Sequence, residues 1–206
     1  MKKFAVFVSG SGSNLQAIID AVNRGYIPGN IALVVSDNPQ AYAVVRAKNA
    51  GIETFVFNPR AYPKREDYEE IIIQELNKRE VEFIVLAGFM RVLTPFFIRK
   101  YKNKILNIHP ALLPSFPGTH GVRDALNYGV KVTGVTVHFV DEGIDTGPII
   151  LQEAEKVRDD DSEESLHQRL HEIEHRIYPK AIKLFIEDKL VIEGRKVKLK
   201  GGEDED

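Results

Sequence analysis

Short apolar runs and helical stripes alternate along the first half of the chain. Phe4–Ser9, Ile31–Ser36, Glu53–Phe57, Phe83–Ala87 and Ile105–His109 read as strands. Most are unbroken apolar runs, the pattern of strands covered on both faces. Between them, Ser13–Asn23, Tyr42–Ala50, Lys64–Arg79 and Pro95–Tyr101 read as helices. This βαβα rhythm predicts a doubly wound, mostly parallel α/β sheet with helices on both faces.

The second half changes character. Val132–Val140 alternates, with Val135, Val137 and Phe139 on one face and Thr136 and His138 on the other. Pro148–Val157 reads as another strand, and an antiparallel portion is expected here. A long helix follows, opened by Asp161-x-x-Glu164 as a capping box. Its apolar stripe is Leu166, Leu170, Ile173, Ile177, Ala181 and Leu184. Pro179 is expected to kink or split that helix after Tyr178. Val191–Leu199 reads as a hairpin around Glu193-Gly194. Residues 201–206 read as a disordered acidic tail. With no internal repeat and no linker, residues 1–200 read as a single domain.

Composition narrows the classes. The 206 residues are 43% hydrophobic and 28% charged, ordinary for a globular protein. A net charge of −2 gives no footing for a nucleic-acid or anionic-membrane partner. The absence of cysteine excludes disulfides, Fe–S clusters and Cys-based zinc sites. The apolar run Phe4–Val8 is shorter than the roughly 7–15 residues of a signal-peptide core. No stretch approaches the roughly 18 apolar residues of a membrane span. The expected location is the cytoplasm.

Candidate chemistry sits where strands end. After Phe4–Ser9 comes Gly10-Ser11-Gly12-Ser13-Asn14 and then a helix. Successive backbone N–H groups and the positive helix end make such a loop an anion site. A tight turn with a helix cap is the plainer reading. A dinucleotide fingerprint requires a third glycine where Leu15 stands. Asp37, after the second strand, keeps a ribose-binding acid open. The P-loop pattern fails, because no Gly-Lys-Ser/Thr follows. A phosphate monoester fits best.

Asn107 and His109 lie two apart at the end of the fifth strand, so they project together at the edge where such sheets bind ligands. An Asn amide can donate to a developing oxyanion, and a His can donate or shuttle protons. Both residues also serve simply to fix turns. A proline-rich loop, 110–121, follows as a rigid wall. The loop Asp141-Glu142-Gly143-Ile144-Asp145-Thr146-Gly147-Pro148 brings three carboxylates. One of them near His109 is expected to raise its pKa. The competing reading is a solvated turn.

His171-Glu172-Ile173-Glu174-His175 satisfies the zinc-protease pattern H-E-x-x-H, with His171 and His175 as ligands and Glu172 as base. It lacks an obvious third ligand, and no metal is expected.

Four ordered motifs carry a resemblance. They are Val8-Ser9-Gly10-Ser11-Gly12-Ser13-Asn14-Leu15-Gln16, Leu86-Ala87-Gly88-Phe89-Met90-Arg91, Asn107-Ile108-His109-Pro110 through His120, and Gly134-Val135-Thr136-Val137-His138-Phe139 through Asp145-x-Gly147-Pro148. In these the chain, to about Phe185, resembles the glycinamide ribonucleotide formyltransferases, folate-dependent transformylases of purine synthesis. The resemblance implies formyl transfer from 10-formyltetrahydrofolate to the amine of 5-phosphoribosylglycinamide. It implies Asn107, His109 and Asp145 as the catalytic trio. Protonated His109 and Asn107 would hold the oxyanion, and Asp145 the His charge. Gly12, Ser13 and Asn14 would hold the substrate phosphate, and Glu174 would contact the substrate. Arg65, Phe89, Met90, Arg91, Val92, Val140 and Asp141 would line the folate site. His171 departs from the family, whose members often carry Gln there. Related enzymes with the same trio act on methionyl-tRNA or hydrolyse formyltetrahydrofolate, normally with an added domain for which no room is expected here. A monomer and a homodimer both remain open.

Overall fold

The computed structural model describes residues 1–201. The expected tail therefore lies, apart from Gly201, outside the described residues. The chain divides into two compact units, Met1–Leu106 and Asn107–Asp206.

The first unit contains strands β1 (Lys2–Val8), β2 (Gly29–Ser36), β3 (Thr54–Val56) and β4 (Phe83–Leu86) in the order β3-β2-β1-β4. All three pairings are parallel. Beyond β4, the Ile84 N–H donates to the Lys104 carbonyl at 2.8 Å, at the start of β5 (Ile105–His109). Phe4 through Val8 are fully buried, as are Phe83, Ile84 and Val85. That is why these runs do not alternate. Each of the Val, Ile and Phe side chains among them contributes roughly 1.5–3 kcal/mol by leaving water. Phe4 and Phe83 stack across the β1–β4 pair with centroids 4.9 Å apart. Helices α1 (Ser13–Asn23), α2 (Tyr42–Asn49), α3 (Arg65–Lys78) and α4 (Pro95–Lys100) fill the gaps between strands. Thr94 caps α4 by accepting from the Phe97 N–H, and Pro95 takes the first helical position.

The second unit adds α5 (Gly121–Tyr128), β6 (Val132–Phe139), β7 (Ile149–Lys156), α6 (Glu163–Ile186), β8 (Leu190–Glu193) and β9 (Lys196–Leu199). Its strand order is β5-β6-β7-β9-β8, with β6–β7 and β8–β9 antiparallel. The sheet is thus mixed, parallel first and antiparallel late, as expected.

Several expectations are corrected. Helix α5 falls in a stretch that carried no helical prediction, because eight residues opened and closed by glycine show little periodicity. Gly129, at φ 82°, ends it by donating to the Ala125 and Leu126 carbonyls. The cap of α6 sits one residue later than read. Ser162 is the N-cap and exchanges bonds with Ser165, because Asp161 is committed to Arg169 at 2.6 Å. Pro179 does not split α6, which runs unbroken to Ile186. Its stripe residues are all buried, and it packs on α5, β6 and β7. Strand β6 is buried from Thr133 to Phe139, so both of its faces are covered. No helix among the described residues is long and apolar enough to cross a membrane.

Candidate active site

In the second unit, β5 ends in His109, 4% exposed, with Asn107 two residues earlier and half-buried. Strand β6 lies beside β5 and brings Thr136 and His138. Thr136 donates to the Ala111 carbonyl at 2.7 Å and accepts from the Leu113 N–H at 3.0 Å. Gln152 on β7 donates to both Leu113 O and Thr136 Oγ1. These bonds hold the proline-rich loop against the sheet.

The loop after β6 turns back sharply. A side chain at Gly147 would run into the Phe139 carbonyl. Asp141 makes the turn, accepting from the Gly143 N–H at 3.1 Å and from Thr146 Oγ1 at 2.6 Å. Asp145 adopts a left-handed φ of 53°. That aims its carboxylate at two imidazoles, His109 Nδ1 at 3.5 Å and His138 Nε2 at 3.6 Å. Of the loop's carboxylates, Asp145 meets His109, while Asp141 shapes the turn. Among the described contacts, Asp141 shows only this turn-forming part of the wall expected of it, and Val140 beside it is half-buried.

The tautomer of His109 follows from its partners. A carbonyl can only accept, so Nε2, 2.7 Å from Phe116 O, carries the hydrogen. Nδ1 faces Asp145. Contrary to expectation, the pKa of His109 lies below its ordinary value. Burial is the largest cause and disfavours the cation, outweighing the attraction of Asp145 and the Phe116 hydrogen bond. Burial pushes Asp145 upward, but the neighbouring His138 and His109 imidazoles and the hydrogen bond from Gly118 hold it below the usual carboxylate range. The Gly118 N–H donates to Oδ2 at 2.7 Å. The centre is therefore a neutral imidazole beside an ionised carboxylate.

His138, 2% exposed, is a fourth member that sequence reasoning passed over. Its Nδ1–H donates to the Phe139 carbonyl at 2.8 Å, and Nε2 lies 3.4 Å from Asn107 Nδ2. With a lone pair on Nε2 it accepts from the Asn107 amide, which leaves the second amide hydrogen available. The signal was its place on the same face as Thr136 in a strand with both faces buried.

On α6, Glu174 is buried and lies 3.8 Å from His171 Nε2. The rings of His167, His171 and His175 follow one another along the helix, with centroids 4.1 and 6.0 Å apart. Burial, then the neighbouring imidazoles, lower the His171 pKa to about 4. No group of three or more His, Cys, Asp or Glu fit to hold a metal occurs among the described residues.

In the first unit, β1 runs into the glycine loop. Gly12 sits at φ 73° as the N-cap of α1, and no side chain caps that helix. A Cβ at Gly12 would lie 2.6 Å from Ala43 Cβ. Arg46 braces the loop from α2, donating from Nε to the Ser11 carbonyl at 2.9 Å and from Nη1 to Gln16 at 3.2 Å. Ser13 and Asn14 open α1 at the mouth of this loop. Ser9 joins the loop to the segment after β4. Its N–H donates to Gly88 O at 3.1 Å, and its Oγ accepts from the Met90 N–H at 2.9 Å.

Along that segment Phe89 packs edge-on against Phe7, while Met90 and Val92 are exposed. Arg65 donates to the Val92 carbonyl at 3.3 Å. Glu69, fully buried and unnoticed in the sequence, accepts from both the N–H and the hydroxyl of Thr94. Asp37, the acid left open as a ribose ligand, is engaged by Arg91 at 2.8 Å through one of its oxygens. A cavity of about 440 Å³ lies at the other ends of β1 and β2, lined by Lys3, Asn30, Glu53 and Arg79 among others, and includes none of the candidate residues.

A family model described as formyl transferase matches residues 2–182. The chain is 48% identical over 183 residues to the phosphoribosylglycinamide formyltransferase of Bacillus subtilis (strain 168), covering 89% of this chain and 94% of that one. Its identity to the Escherichia coli (strain K12) protein of the same name is 43% over 185 residues, covering 90% and 87%. It is 44% identical over 187 residues to the trifunctional purine biosynthetic protein adenosine-3 of Drosophila melanogaster, covering 90% of this chain but 14% of that protein. The crystal structure of glycinamide ribonucleotide transformylase 1 from Symbiobacterium toebii superposes with a TM-score of 0.95 at 48% identity, covering 97% of this chain and 94% of that one. The chain belongs to the formyl transferase family.

Proposed function

We propose that this enzyme transfers the formyl group of 10-formyltetrahydrofolate to the amine of 5-phosphoribosylglycinamide, in the cytoplasm, as a step of purine synthesis. The observation that carries this reading is the Asp145 carboxylate 3.5 Å from His109 Nδ1 at the end of β5, with Asn107 on the same strand face. The family region, residues 2–182, spans the first compact unit from residue 2 and most of the second, which supports treating them as one catalytic domain.

The amine attacks the formyl carbon and forms a tetrahedral intermediate. Asn107 donates its free amide hydrogen to the oxyanion. The ammonium proton passes to the His109–Asp145 pair, where Nδ1 becomes an N–H facing the carboxylate. That proton then goes to N10 of the folate as the C–N bond breaks, leaving tetrahydrofolate and the N-formyl product. This revises the expected role of His109 from a resident cation to a proton acceptor. An amine nucleophile needs no metal to generate it. Gly12, Ser13 and Asn14 hold the phosphate, and Glu174 contacts the substrate. Phe89, Met90, Arg91, Val92, Arg65, Val140 and Asp141 border the folate.

The test is a two-substrate assay. Tetrahydrofolate should appear in step with formylated product, stop when the amine is omitted, and persist in a chelator. Folate release without the amine would make the protein a hydrolase. Stoichiometric zinc, lost together with activity in His171→Ala, would revive the protease reading.

The pH profile gives a separate prediction. If neutral His109 takes the proton, activity is lost as pH falls through its pKa. Because that value is depressed, the acid limb of kcat should lie below the ordinary 6.5. An acid limb above 6.5 would rule out this assignment.

A further inference from the structure

Asp37 directly follows β2 at the carboxyl edge of the parallel sheet, with a side chain only 5% exposed. The turn that follows does not need its carboxylate. Ser36 Oγ accepts from the Asn38 N–H and donates to the Asn38 carbonyl. The Asn38 side chain accepts from the Gln40 N–H and donates to Ser9 O. Asp37 is thus a buried acid standing outside the local turn chemistry. One oxygen, Oδ1, is buried with no hydrogen-bond partner, and the other accepts from Arg91 Nε at 2.8 Å. A buried carboxylate with one oxygen unsatisfied costs stability. Its presence calls for a use beyond the fold.

That use is visible in Arg91. The guanidinium makes no other hydrogen bond among the described residues, and its side chain is 45% exposed. With Nε fixed inward on Asp37, the two terminal nitrogens form the outward edge. A planar guanidinium held at one nitrogen has its plane set before any ligand arrives. Arg91 lies in the segment 88–92, whose backbone is pinned by Ser9 at Met90 and by Arg65 at Val92. The backbone is therefore fixed by other residues, and Asp37 fixes the side chain.

We infer that Asp37 is a positioning residue for the folate cosubstrate. It aims the terminal nitrogens of Arg91 at an oxygen acceptor of that molecule. The inference rests on the formyl-transfer reading above and adds to it a residue fifty-four positions away in sequence.

The experiment uses the full chain with both substrates. Asp37→Asn keeps the volume and removes the charge. It should raise the KM for 10-formyltetrahydrofolate roughly tenfold, as expected for a charge-assisted hydrogen bond made less well. The KM for phosphoribosylglycinamide and kcat should stay within about twofold. In the double variant Asp37→Asn/Arg91→Met, the KM should be no higher than in Arg91→Met alone, because Asp37 acts through Arg91. Additive effects, an equal rise in both KM values, or no change in the folate KM overturns the inference. So does a variant whose melting temperature falls while its folate KM holds, since the carboxylate would then serve the fold. Should Asp37→Ala fail to fold, Asp37→Asn and the double-variant cycle still decide. Failure in the variants with an active wild type strikes this inference alone. A wild type that transfers no formyl group overturns it together with the reading beneath it.

Discussion

Asp145→Asn should lower kcat by more than about 10²-fold while both KM values change little. The carboxylate lies 3.5 Å from His109 Nδ1 and 3.6 Å from His138 Nε2, so a single substitution uncharges the centre of the cluster. Without it, the imidazolium formed when the amine gives up its proton has no counter-ion. The loss therefore falls on a species present only after attack, and so on kcat. The His109 pKa, already lowered by burial, should fall further, because the attraction of Asp145 opposes that lowering. NMR titration of the ring in both proteins measures this. Matching titrations with activity intact would reduce Asp145 to a turn residue, and the proposed proton route would have to be abandoned.

Gly12→Ala should raise the KM for phosphoribosylglycinamide by about 10² and leave the folate KM near its starting value. Two independent costs converge there. At φ 73° a side chain adds roughly 1–2 kcal/mol of strain. Its Cβ would also sit 2.6 Å from Ala43 Cβ and 2.7 Å from Ala43 Cα. Those neighbours belong to α2, whose Ala43 N–H also bonds Gly10 O at 3.1 Å, so they cannot retreat without opening the loop. The backbone donors would then no longer converge on an anion. A phosphate-substrate KM that holds in a folded Gly12→Ala protein would place the phosphate elsewhere.

Much of the frame was legible because it is local. The apolar run Ile105–Leu106 passes into Asn107 and His109 and stops at a proline, and the strand has those bounds. The α6 stripe reads at helical spacing and is buried as read. What escaped depends on distant partners. Asp161 and Ser162 are both plausible caps, and the choice falls to Arg169, eight residues on. Glu69 is one acid among several along α3 until Thr94, twenty-five residues away, gives its carboxylate two donors. The sign of the His109 shift escaped for a related reason. Spacing places a carboxylate near the ring but does not say how dry the ring is, and dryness prevails. His138 looked like a strand residue on the less apolar face, because its partners come from β5 and from the loop beyond β6.

Ser9 ties the loop after β1 to the segment after β4 through both its backbone and its hydroxyl. On the proposed reading those are the grips for two different molecules. They are therefore not separate modules that can be retooled one at a time. An engineer who reshapes the cosubstrate wall for a new carrier starts from a part that is bolted to the phosphate cradle, and libraries built across 88–92 need to vary residue 9 in the same round.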